Sequence, residues 1–506
     1  MAYLLAYDFG TGGIKASLYD EAGVCVADGF DAYPTLYPAS GFHEQRPEEW
    51  WSATVASTRK LLSSAPAGAA QEIRAIGISG HSLGVVPVDA AGRLLRATVP
   101  IWSDSRPDKQ PADFFKHVAE EDWYMLTGNG FPPALYSIFK LMWFNEREPE
   151  MFRQIHKVLG TKDYINYRLT GVMATDHSYA SGCGVYDLSS RAYDDRLMAA
   201  SGLDRNILPE IVPATCVLGT LTEAAACELG LPRTVQVVAG GVDNACMALG
   251  AGAYREGQAY NALGSSAWIA VSSAQPLLDI GKRPYVFDHV VPGQYVSALA
   301  IFSAGTSLTW VRDQMCADLV KRAAQEGVSV YELMDEEAAA APAGSNGVIF
   351  NSALAGGSSL DKTPALRGAF LNLELRHTRA DLLRATMEGV AFGLRNALDA
   401  LRQLVPVAEP LILVGGGANS ALWRQIYADV YRCRVERRSA GQQAAALGAA
   451  AVAGVGAGIW TDFGIVDEVS AVTDRHEPDA TRSAEYERVF ARYCQASEML
   501  GEWAQE

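Results

Sequence analysis

The start of the chain alternates between apolar runs and turn residues. Residues 3–7 are apolar or aromatic, and residues 14–19 alternate apolar with polar side chains. Residues 8–13 between them are rich in glycine and short polar residues, which are typical of a tight turn. The pattern predicts a β-hairpin, followed by a third strand over residues 24–31.

Further apolar runs predict strands that end in glycine-rich turns. Residues 73–79 precede Gly80, and residues 236–239 precede Gly240 and Gly241. Leu411–Val414 precedes the cluster that starts at Gly415. Amphipathic or apolar patterns predict helices from Pro47, through most of 110–175, over 245–249, over Ala421–Tyr431, from Ala444, and in the charged tail after about 465.

The N-terminal hairpin pattern occurs a second time. Ala259–Leu263 is an apolar strand, residues 264–266 are a glycine and serine turn, and residues 267–271 are apolar again. Repetition of one supersecondary unit indicates two related halves, with a boundary near 245–255. This repeat predicts two large lobes, where the length of 506 residues alone would suggest about three domains.

Composition and charge exclude several classes of protein. With 49% hydrophobic residues and a net charge of −16, the chain can bury cores and lacks the basic surface that nucleic acids require. The eight cysteines form no Cys-x-x-Cys pair, so a zinc or dithiol site is not expected. The start lacks a basic leader, and the uncharged stretch 444–460 is too rich in Ala and Gly for a membrane span. We therefore predict a cytoplasmic protein with no membrane or nucleic-acid partner.

The first turn has the residue types of a phosphate-binding hairpin. No P-loop pattern and no Gly-x-Gly-x-x-Gly pattern is present. In this hairpin Gly10 would let backbone N–H groups approach phosphate oxygens, Thr11 would add a hydroxyl, and Lys15 a positive charge. Asp8 is suited to Mg²⁺, directly or through water. The alternative is a plain hairpin with ordinary turn residues.

Two later glycine clusters strengthen the nucleotide hypothesis. Gly264 and Ser265 can contact terminal phosphates, and Gly416, Gly417 and Asn419 can border a flat base beside a helix N-terminus. Together the three clusters predict a nucleotide held between two lobes.

Asp243 is the strongest catalytic candidate. It follows a buried strand and two glycines, and Asn244 comes next at a predicted helix start. Phosphoryl transfer to an alcohol needs a carboxylate that accepts the hydroxyl proton. The alternative, that Asp243 or Asn244 is only a helix N-cap, is about equally compatible with the sequence.

A polar and aromatic cluster is the candidate site for the second substrate. Aromatic rings with a few convergent polar groups suit the apolar face and hydroxyls of a polyol. For each residue taken alone, a structural role is an open alternative: Trp102 in the core, Asp104 in a surface pair with Arg106, and Tyr136 in the core. The candidate substrate-binding residues are His81, Ser82, Trp102, Asp104, Tyr136, Asp243 and Asn244.

These motifs resemble the FGGY carbohydrate kinase family of the actin/hexokinase/Hsp70 superfamily. The resemblance extends from Asp8 to about Ala453. It rests on blocks in the same order, namely Asp8-Phe9-Gly10-Thr11, residues 43–51, 101–106, 162–164, 240–245, 263–266, 387–392, 415–419 and 446–450.

The resemblance implies an α/β fold with two related actin/hexokinase-like (ribonuclease H-like) lobes, in which mixed central sheets are flanked by helices around an interlobe cleft. The implied segments are an N-terminal lobe over 1–246, a nucleotide-binding lobe over 247–460 and a helical tail over 461–506. The implied activity is transfer of the γ-phosphate of ATP to a sugar or polyol hydroxyl. Asp243 would be the general base and Asp8 would organise Mg²⁺. The partners would be ATP and a small sugar, and a homodimer is left open.

Within the family the chain looks most like the xylulokinase branch, which implies a ketopentose such as D-xylulose. Three departures bear on this: residues 81–84 read His-Ser-Leu-Gly instead of Gln-Met-His-Gly, Ser265 replaces threonine, and residues 356–360 replace the usual Gly-Glu-Arg-Thr-Pro. The first lies in the sugar pocket, so another polyol or ketose (glycerol, a tetrose or a pentitol) is the alternative substrate. A non-catalytic ATP- or sugar-binding regulator and an actin- or Hsp70-like ATPase are the alternatives from other classes.

Overall fold

The structure of the protein, a computed structural model, describes residues 2–505. The strands are β1 (Tyr3–Gly10), β2 (Gly13–Asp20), β3 (Cys25–Ala32), β4 (Glu44–Gln45), β5 (Ile73–Gly80), β6 (Val86–Val88), β7 (Val99–Pro100), β8 (Lys157–Leu159), β9 (Ala174–Asp176), β10 (Tyr186–Asp187), β11 (Ala192–Tyr193), β12 (Glu210–Val212), β13 (Val217–Thr220), β14 (Gln236–Val238), β15 (Gly241–Val242), β16 (Ala259–Leu263), β17 (Ala267–Ser273), β18 (Tyr285–Asp288), β19 (Tyr295–Ile301), β20 (Ile349–Asn351), β21 (Ala369–Leu371), β22 (Leu411–Val414), β23 (Val435–Arg438) and β24 (Val472–His476).

The helices are α1 (Pro47–Ser64), α2 (Ala69–Glu72), α3 (Gln110–Phe114), α4 (Glu120–Thr127), α5 (Ser137–Arg147), α6 (Pro149–Phe152), α7 (Thr161–Thr170), α8 (His177–Ala180), α9 (Asp195–Ser201), α10 (Glu223–Leu229), α11 (Asp243–Gly250), α12 (Gly305–Met315), α13 (Ala317–Glu326), α14 (Val330–Ala339), α15 (Arg379–Arg402), α16 (Ala421–Tyr431), α17 (Ala444–Gly456), α18 (Ile465–Val469) and α19 (Ala480–Trp503).

The chain forms two compact units, each built from separate stretches of sequence. The first contains the described residues up to Glu256 together with Ser272–Ser297 and Gln443–Ala471. The second contains Gly257–Val271, Ala298–Gln442 and the described residues from Val472 onwards. Consecutive segments were expected from the sequence. An apolar pattern predicts a helix such as 444–456 but not the unit that this helix joins.

In the first unit, a mixed sheet has the strand order β13-β14-β5-β1-β2-β3, and β15 also pairs with β5. β1 is antiparallel to β2 and parallel to β5. Helix α1 begins with Pro47 at its first position and two glutamates in its first turn, which favours a helix N-terminus. Its Trp50 is fully buried in the core beside the sheet.

The uncharged stretch after residue 443 is a buried helix, as predicted. Helix α17 packs against α11 so closely that a Cβ on Gly448 would lie 1.9 Å from the backbone oxygen of Cys246, and one on Gly250 would lie 1.7 Å from that of Ala444. The small residues are therefore required by backbone contact between two helices. Within residues 2–505, no helix has the length and apolar run needed to cross a membrane.

The second unit repeats the hairpin arrangement of the first. Its sheet contains the order β17-β16-β22-β23-β24, in which β16 is antiparallel to β17 and parallel to β22. The predicted repeat, the mixed sheets and the α/β class are confirmed. The tail is less uniform than expected, because Val472–His476 pairs antiparallel with β23 before the helix α19 begins.

Candidate functional site

Asp8 lies where three strands of the first unit share a register. It is opposite Lys15 on β2 and opposite Ser79 on β5. The Ser79 hydroxyl donates a hydrogen bond of 2.8 Å to Asp8 Oδ1. Burial raises the pKa of Asp8, while the Ser79 bond and the charge of Lys15 act in the opposite direction. Asp8 is thus a carboxyl group in a poorly hydrated position, with one hydroxyl and one ammonium group available to stabilise its charge.

The backbone of the hairpin turn next to Asp8 has open space beside it at Gly12. The space where a Cβ on Gly12 would lie has no atom within 4 Å. The Trp102 indole N–H donates to Thr11 Oγ1 at 2.9 Å, and the Gln45 side-chain amide donates to the Thr11 backbone oxygen at 2.7 Å. Because Thr11 accepts from Trp102, its own O–H proton can be donated to an anion. Trp102 therefore joins the candidate sugar loop to the candidate phosphate turn.

Asp243 is the first residue of helix α11. The N-cap position belongs to Val242, so Asp243 and Asn244 lie one and two residues inside the helix. Asp243 Oδ1 accepts a hydrogen bond of 2.8 Å from the Asn244 backbone N–H. Burial, and then the negative charge of Asp8, raise the pKa of Asp243 to about 7. A carboxylate that titrates near neutral pH can act as a general base.

His81 and its neighbours form the loop after β5. The His81 side chain is buried, and its ring nitrogens lie 3.3 and 3.4 Å from Thr161 Oγ1. Burial lowers the pKa of His81 to about 4, so the ring is neutral at physiological pH. Ser82 is partly exposed, and Leu83 has a left-handed backbone with φ of 60°. This conformation is uncommon for leucine and requires support from its surroundings.

Lys140 supplies that support from helix α5. Its ammonium group donates hydrogen bonds of 3.1 Å to the Leu83 backbone oxygen and 2.7 Å to the Ile101 backbone oxygen. Burial lowers the pKa of Lys140 to about 7, although the charge of Asp104 acts against this. Lys140 thus fastens the loop after β5 to the loop that contains Trp102.

Asp104 and Arg106 form a buried pair, not the surface pair considered from the sequence. Arg106 contacts Asp104 Oδ2 at 2.7 Å and Glu44 Oε1 at 2.6 Å, and it lies 4.3 Å over the Phe42 ring. Asp104 Oδ2 also accepts from the His43 backbone N–H at 2.7 Å. Because these partners already occupy the carboxylate, the geometry favours a structural role for Asp104 over the predicted sugar contact.

Tyr136 is likewise placed in the core. Its side chain is 1% exposed, its hydroxyl accepts a hydrogen bond of 2.9 Å from the Phe131 N–H, and its ring packs edge-on against Trp123. This burial favours the core alternative for Tyr136 over the predicted substrate contact.

In the second unit, the turn between β16 and β17 exposes Gly264 and Ser265. The Gly305 and Thr306 N–H groups at the start of α12 donate to the backbone oxygens of Gly264 and Ser265, at 3.0 and 3.1 Å. These bonds fix the turn, and they leave the Ser265 side chain exposed for a phosphate contact.

The three glycines after β22 differ in the space that a side chain would have at each position. Gly415 has φ of 91°, and a Cβ there would lie 2.7 Å from the Leu263 backbone oxygen, so the backbone requires glycine. A Cβ on Gly417 would lie 2.9 Å from Leu263 Cβ, which makes this position a packing requirement. A Cβ on Gly416 would meet only Gln442 Nε2 at 3.9 Å, so Gly416 has the open space that a flat ligand needs. Asn419 Oδ1 accepts from Arg437 at 3.0 Å.

Several residues at the site were not predicted from the sequence. Ser79 bonds Asp8, Gln45 bonds the Thr11 backbone, and Ser178 bonds the backbone N–H of Val242 at 2.9 Å. Ser79 could have been found from the sequence, because it is the last residue of the predicted apolar strand 73–79, and this strand could be expected to pair with the strand before Asp8. No comparable signal marks Ser178, because it is distant in sequence from the segment it contacts.

The chain matches both domains of one known protein family. The N-terminal domain of the FGGY family of carbohydrate kinases matches residues 3–250, and its C-terminal domain matches residues 259–457. The xylulose kinase of Escherichia coli (strain K12) is 31% identical over 483 residues, which cover 96% of each chain. The gluconokinase of Bacillus licheniformis is 26% identical over 501 residues, which cover 99% of this chain and 96% of that protein.

A solved structure supports the same relationship. The crystal structure of xylulose kinase from Rhodospirillum rubrum superimposes with a TM-score of 0.90, at 28% identity, over the full length of both chains. The similarity therefore includes both units and is not confined to one motif.

Proposed function

Because the chain belongs to the FGGY family of carbohydrate kinases and is a sugar kinase, we propose that it transfers the γ-phosphate of ATP to a hydroxyl of a ketopentose, with D-xylulose as the substrate and Asp243 as the general base. The position of Asp243 carries this proposal. It begins a helix beside Asp8, and its pKa of about 7 lets it take up the proton that the sugar hydroxyl loses.

Each unit has a hairpin whose groups are suited to binding phosphate. Gly10, Thr11 and Lys15 supply backbone, hydroxyl and charge in the first unit. Gly264 and Ser265 supply backbone and hydroxyl in the second, where Gly416 has room for the adenine. Backbone N–H groups and a few side chains are sufficient for binding a phosphate, so the net charge of −16 does not oppose it.

The residues fit Mg²⁺ as the partner of ATP. Within residues 2–505 no cluster of three or more His, Cys, Asp or Glu side chains is arranged to hold a metal. Mg²⁺ usually keeps several waters and takes one or two carboxylates together with phosphate oxygens, which is what Asp8 beside a phosphate turn offers. When bound, the ion would neutralise charge on the phosphates.

The sugar would contact the loops that Lys140 joins. Ser82 is partly exposed and lies next to His81, whose neutral ring is buried, while Trp102 lies between this region and Thr11. D-Xylulose is favoured by the named activity of the relatives in E. coli and R. rubrum. A different polyol or sugar acid is the second candidate, because a gluconokinase is also similar over nearly the whole chain and because residues 81–83 depart from the xylulokinase pattern.

A coupled assay of ADP release, run with D-xylulose, D-gluconate, glycerol and erythritol, tests the proposal. We expect the highest kcat/KM with D-xylulose. A higher value for another compound would overturn the substrate and leave the kinase assignment standing. The absence of sugar-dependent ADP release with all compounds of a broad panel would favour the non-catalytic regulator.

The Asp243→Ala variant tests the base. We expect kcat to fall by roughly three or more orders of magnitude while ATP binding, followed by tryptophan fluorescence, persists. Wild-type turnover in this variant would show that Asp243 is not the base.

A further inference from the structure

The segment before Asp243 contains two adjacent glycines, and both of its ends are held by buried side chains. Gly240 has φ of 72°, and a Cβ on it would lie 2.1 Å from the Ile78 backbone oxygen. On one side of the glycines, the Ala239 oxygen accepts from Asn166 at 2.8 Å and from Lys162 at 3.3 Å. On the other side, the Val242 N–H donates to Ser178 Oγ at 2.9 Å. The backbone that carries Asp243 is therefore held by hydrogen bonds on both sides of the two glycines.

The hydroxyl of Ser178 has a defined orientation. It donates its proton to Asp176 Oδ2, which also accepts the Ser178 backbone N–H at 2.8 Å. Asp176 Oδ1 lies 2.8 Å from Lys162 Nζ, and Lys162 also pairs with Asp163. Because the only hydroxyl proton of Ser178 is used by Asp176, its lone pairs are directed to the Val242 N–H.

Burial makes this arrangement rigid. The side chains of Lys162, Asp176 and Ser178 are all 0% exposed. Burial opposes the charge on Lys162, but Asp163 and Asp176 outweigh it and raise the pKa of Lys162. Buried ion pairs contribute little net stability compared with apolar packing, so their presence beneath one backbone N–H indicates a geometric role.

We propose that Ser178, oriented by Asp176 and Lys162, is a positioning residue that holds Asp243 in the geometry needed to accept the proton of the sugar hydroxyl. The inference rests on the proposed function of Asp243. Ser178 does not touch the sugar or the nucleotide in this proposal. Its loss should therefore affect the chemical step and leave substrate binding nearly unchanged.

The test compares Ser178→Ala with a matched serine. Ser201 is also buried in the first unit. Its hydroxyl donates to the Met198 backbone oxygen (2.7 Å), where Ser178 donates to a carboxylate, and like Ser178 it accepts a backbone N–H (Leu203, 3.2 Å), but it has no bond to residues 239–243. Displacement of a catalytic group by about 1 Å can reduce the rate about 100-fold. We expect Ser178→Ala to lower kcat roughly 10- to 100-fold with both KM values within about threefold of wild type. Ser201→Ala should lower the Tm and keep the wild-type kcat.

A conservative variant provides the rescue. Ser178→Thr keeps the hydroxyl and should recover most of kcat. If Ser178→Ala is not obtained folded, Ser178→Cys replaces it, because a thiol of similar size is a weaker acceptor and should lower kcat in the same direction.

Two outcomes separate the inference from the function on which it rests. If Asp243→Ala is inactive while Ser178→Ala (or the cysteine variant) has wild-type kcat, the positioning role is wrong and the proposed base stands. If Asp243→Ala keeps wild-type turnover, the proposed base and the positioning role are both wrong.

Discussion

The hairpins of the two units have the same topology and different chemistry. In each, the first strand is antiparallel to its partner and parallel to a later strand that ends at a glycine or just before one. The polar residue in the first strand is Asp8 in the first unit and Asn261 in the second. Asp8 has Ser79 and Lys15 at the same register, whereas Asn261 is fully buried and donates to the Tyr431 hydroxyl at 2.9 Å.

This difference separates what the fold requires from what a reaction requires. An amide that bonds a buried tyrosine satisfies two polar groups inside a core, which is a packing function. A carboxylate beside a hydroxyl, an ammonium group and a second carboxylate has an electrostatic function. The repeated hairpin thus supplies a frame in both units, and in the first unit this frame also carries the charged pair Asp8 and Lys15 at one register.

The largest expected effect comes from replacing each of these two polar residues in turn. Asp8→Asn should lower kcat by roughly 1,000-fold, because it removes the charge that organises phosphate and metal, while the Tm changes little. Asn261→Ala should keep kcat per folded molecule and lower stability by about 1–3 kcal/mol, because the Tyr431 hydroxyl loses its partner. Sugar-dependent ADP release and thermal unfolding measure the two effects. A loss of activity in Asn261→Ala at unchanged Tm would contradict the distinction.

The glycines of the second unit offer a comparison within one turn. Gly415→Ala should destabilise the protein by about 2–4 kcal/mol, because a Cβ would meet the Leu263 oxygen at 2.7 Å in a left-handed backbone. Gly416→Ala should change stability by less than about 1 kcal/mol, because its surroundings are open, and should raise the KM for ATP. Thermal unfolding and ATP titration separate them. Equal Tm values for the two variants would show that the Gly415 backbone relaxes.

The acid limb of the pH–rate profile tests the coupling in the first unit. A base must be deprotonated, so kcat/KM should fall about tenfold for each pH unit below about 7, the pKa of Asp243. The negative charge of Asp8 contributes to that raised pKa, so the residual activity of Asp8→Asn should have its midpoint at lower pH. Asn261→Ala is the control and should keep the wild-type midpoint. An unchanged midpoint in Asp8→Asn would show that burial alone sets the pKa.

Much of the fold and part of the site could be predicted from the sequence. Period-two patterns and glycine turns located the hairpins, and the residue types at Asp8, Thr11 and Asp243 indicated their chemistry. Ser178 could not be found in this way, because its contact with Val242 depends on how distant segments pack. Tyr136 illustrates the opposite limit, since an aromatic residue at a helix start gives the same sequence pattern whether it lines a pocket or fills the core.

The smallest expected effect is the pH-dependent loss of folding stability that the raised pKa of Asp243 causes. The folded state keeps the Asp243 proton up to about pH 7, whereas the unfolded chain releases it near pH 4, so the folded state binds more protons between these values. Wild-type stability should therefore fall as pH rises through this window and level off above it. Asp243→Asn removes the ionisable group and should be more stable than wild type at pH 8 by on the order of 1–2 kcal/mol, a value reduced from the full shift because the carboxyl is partly exposed. This advantage should largely disappear near pH 4, where the Asp243 carboxyl is protonated in the folded state and about half protonated in the unfolded chain. Asn261→Ala should lose the same amount of stability at both pH values, since no titrating group changes; an advantage of Asp243→Asn that is equal at pH 4 and pH 8 would show that the variant acts through packing.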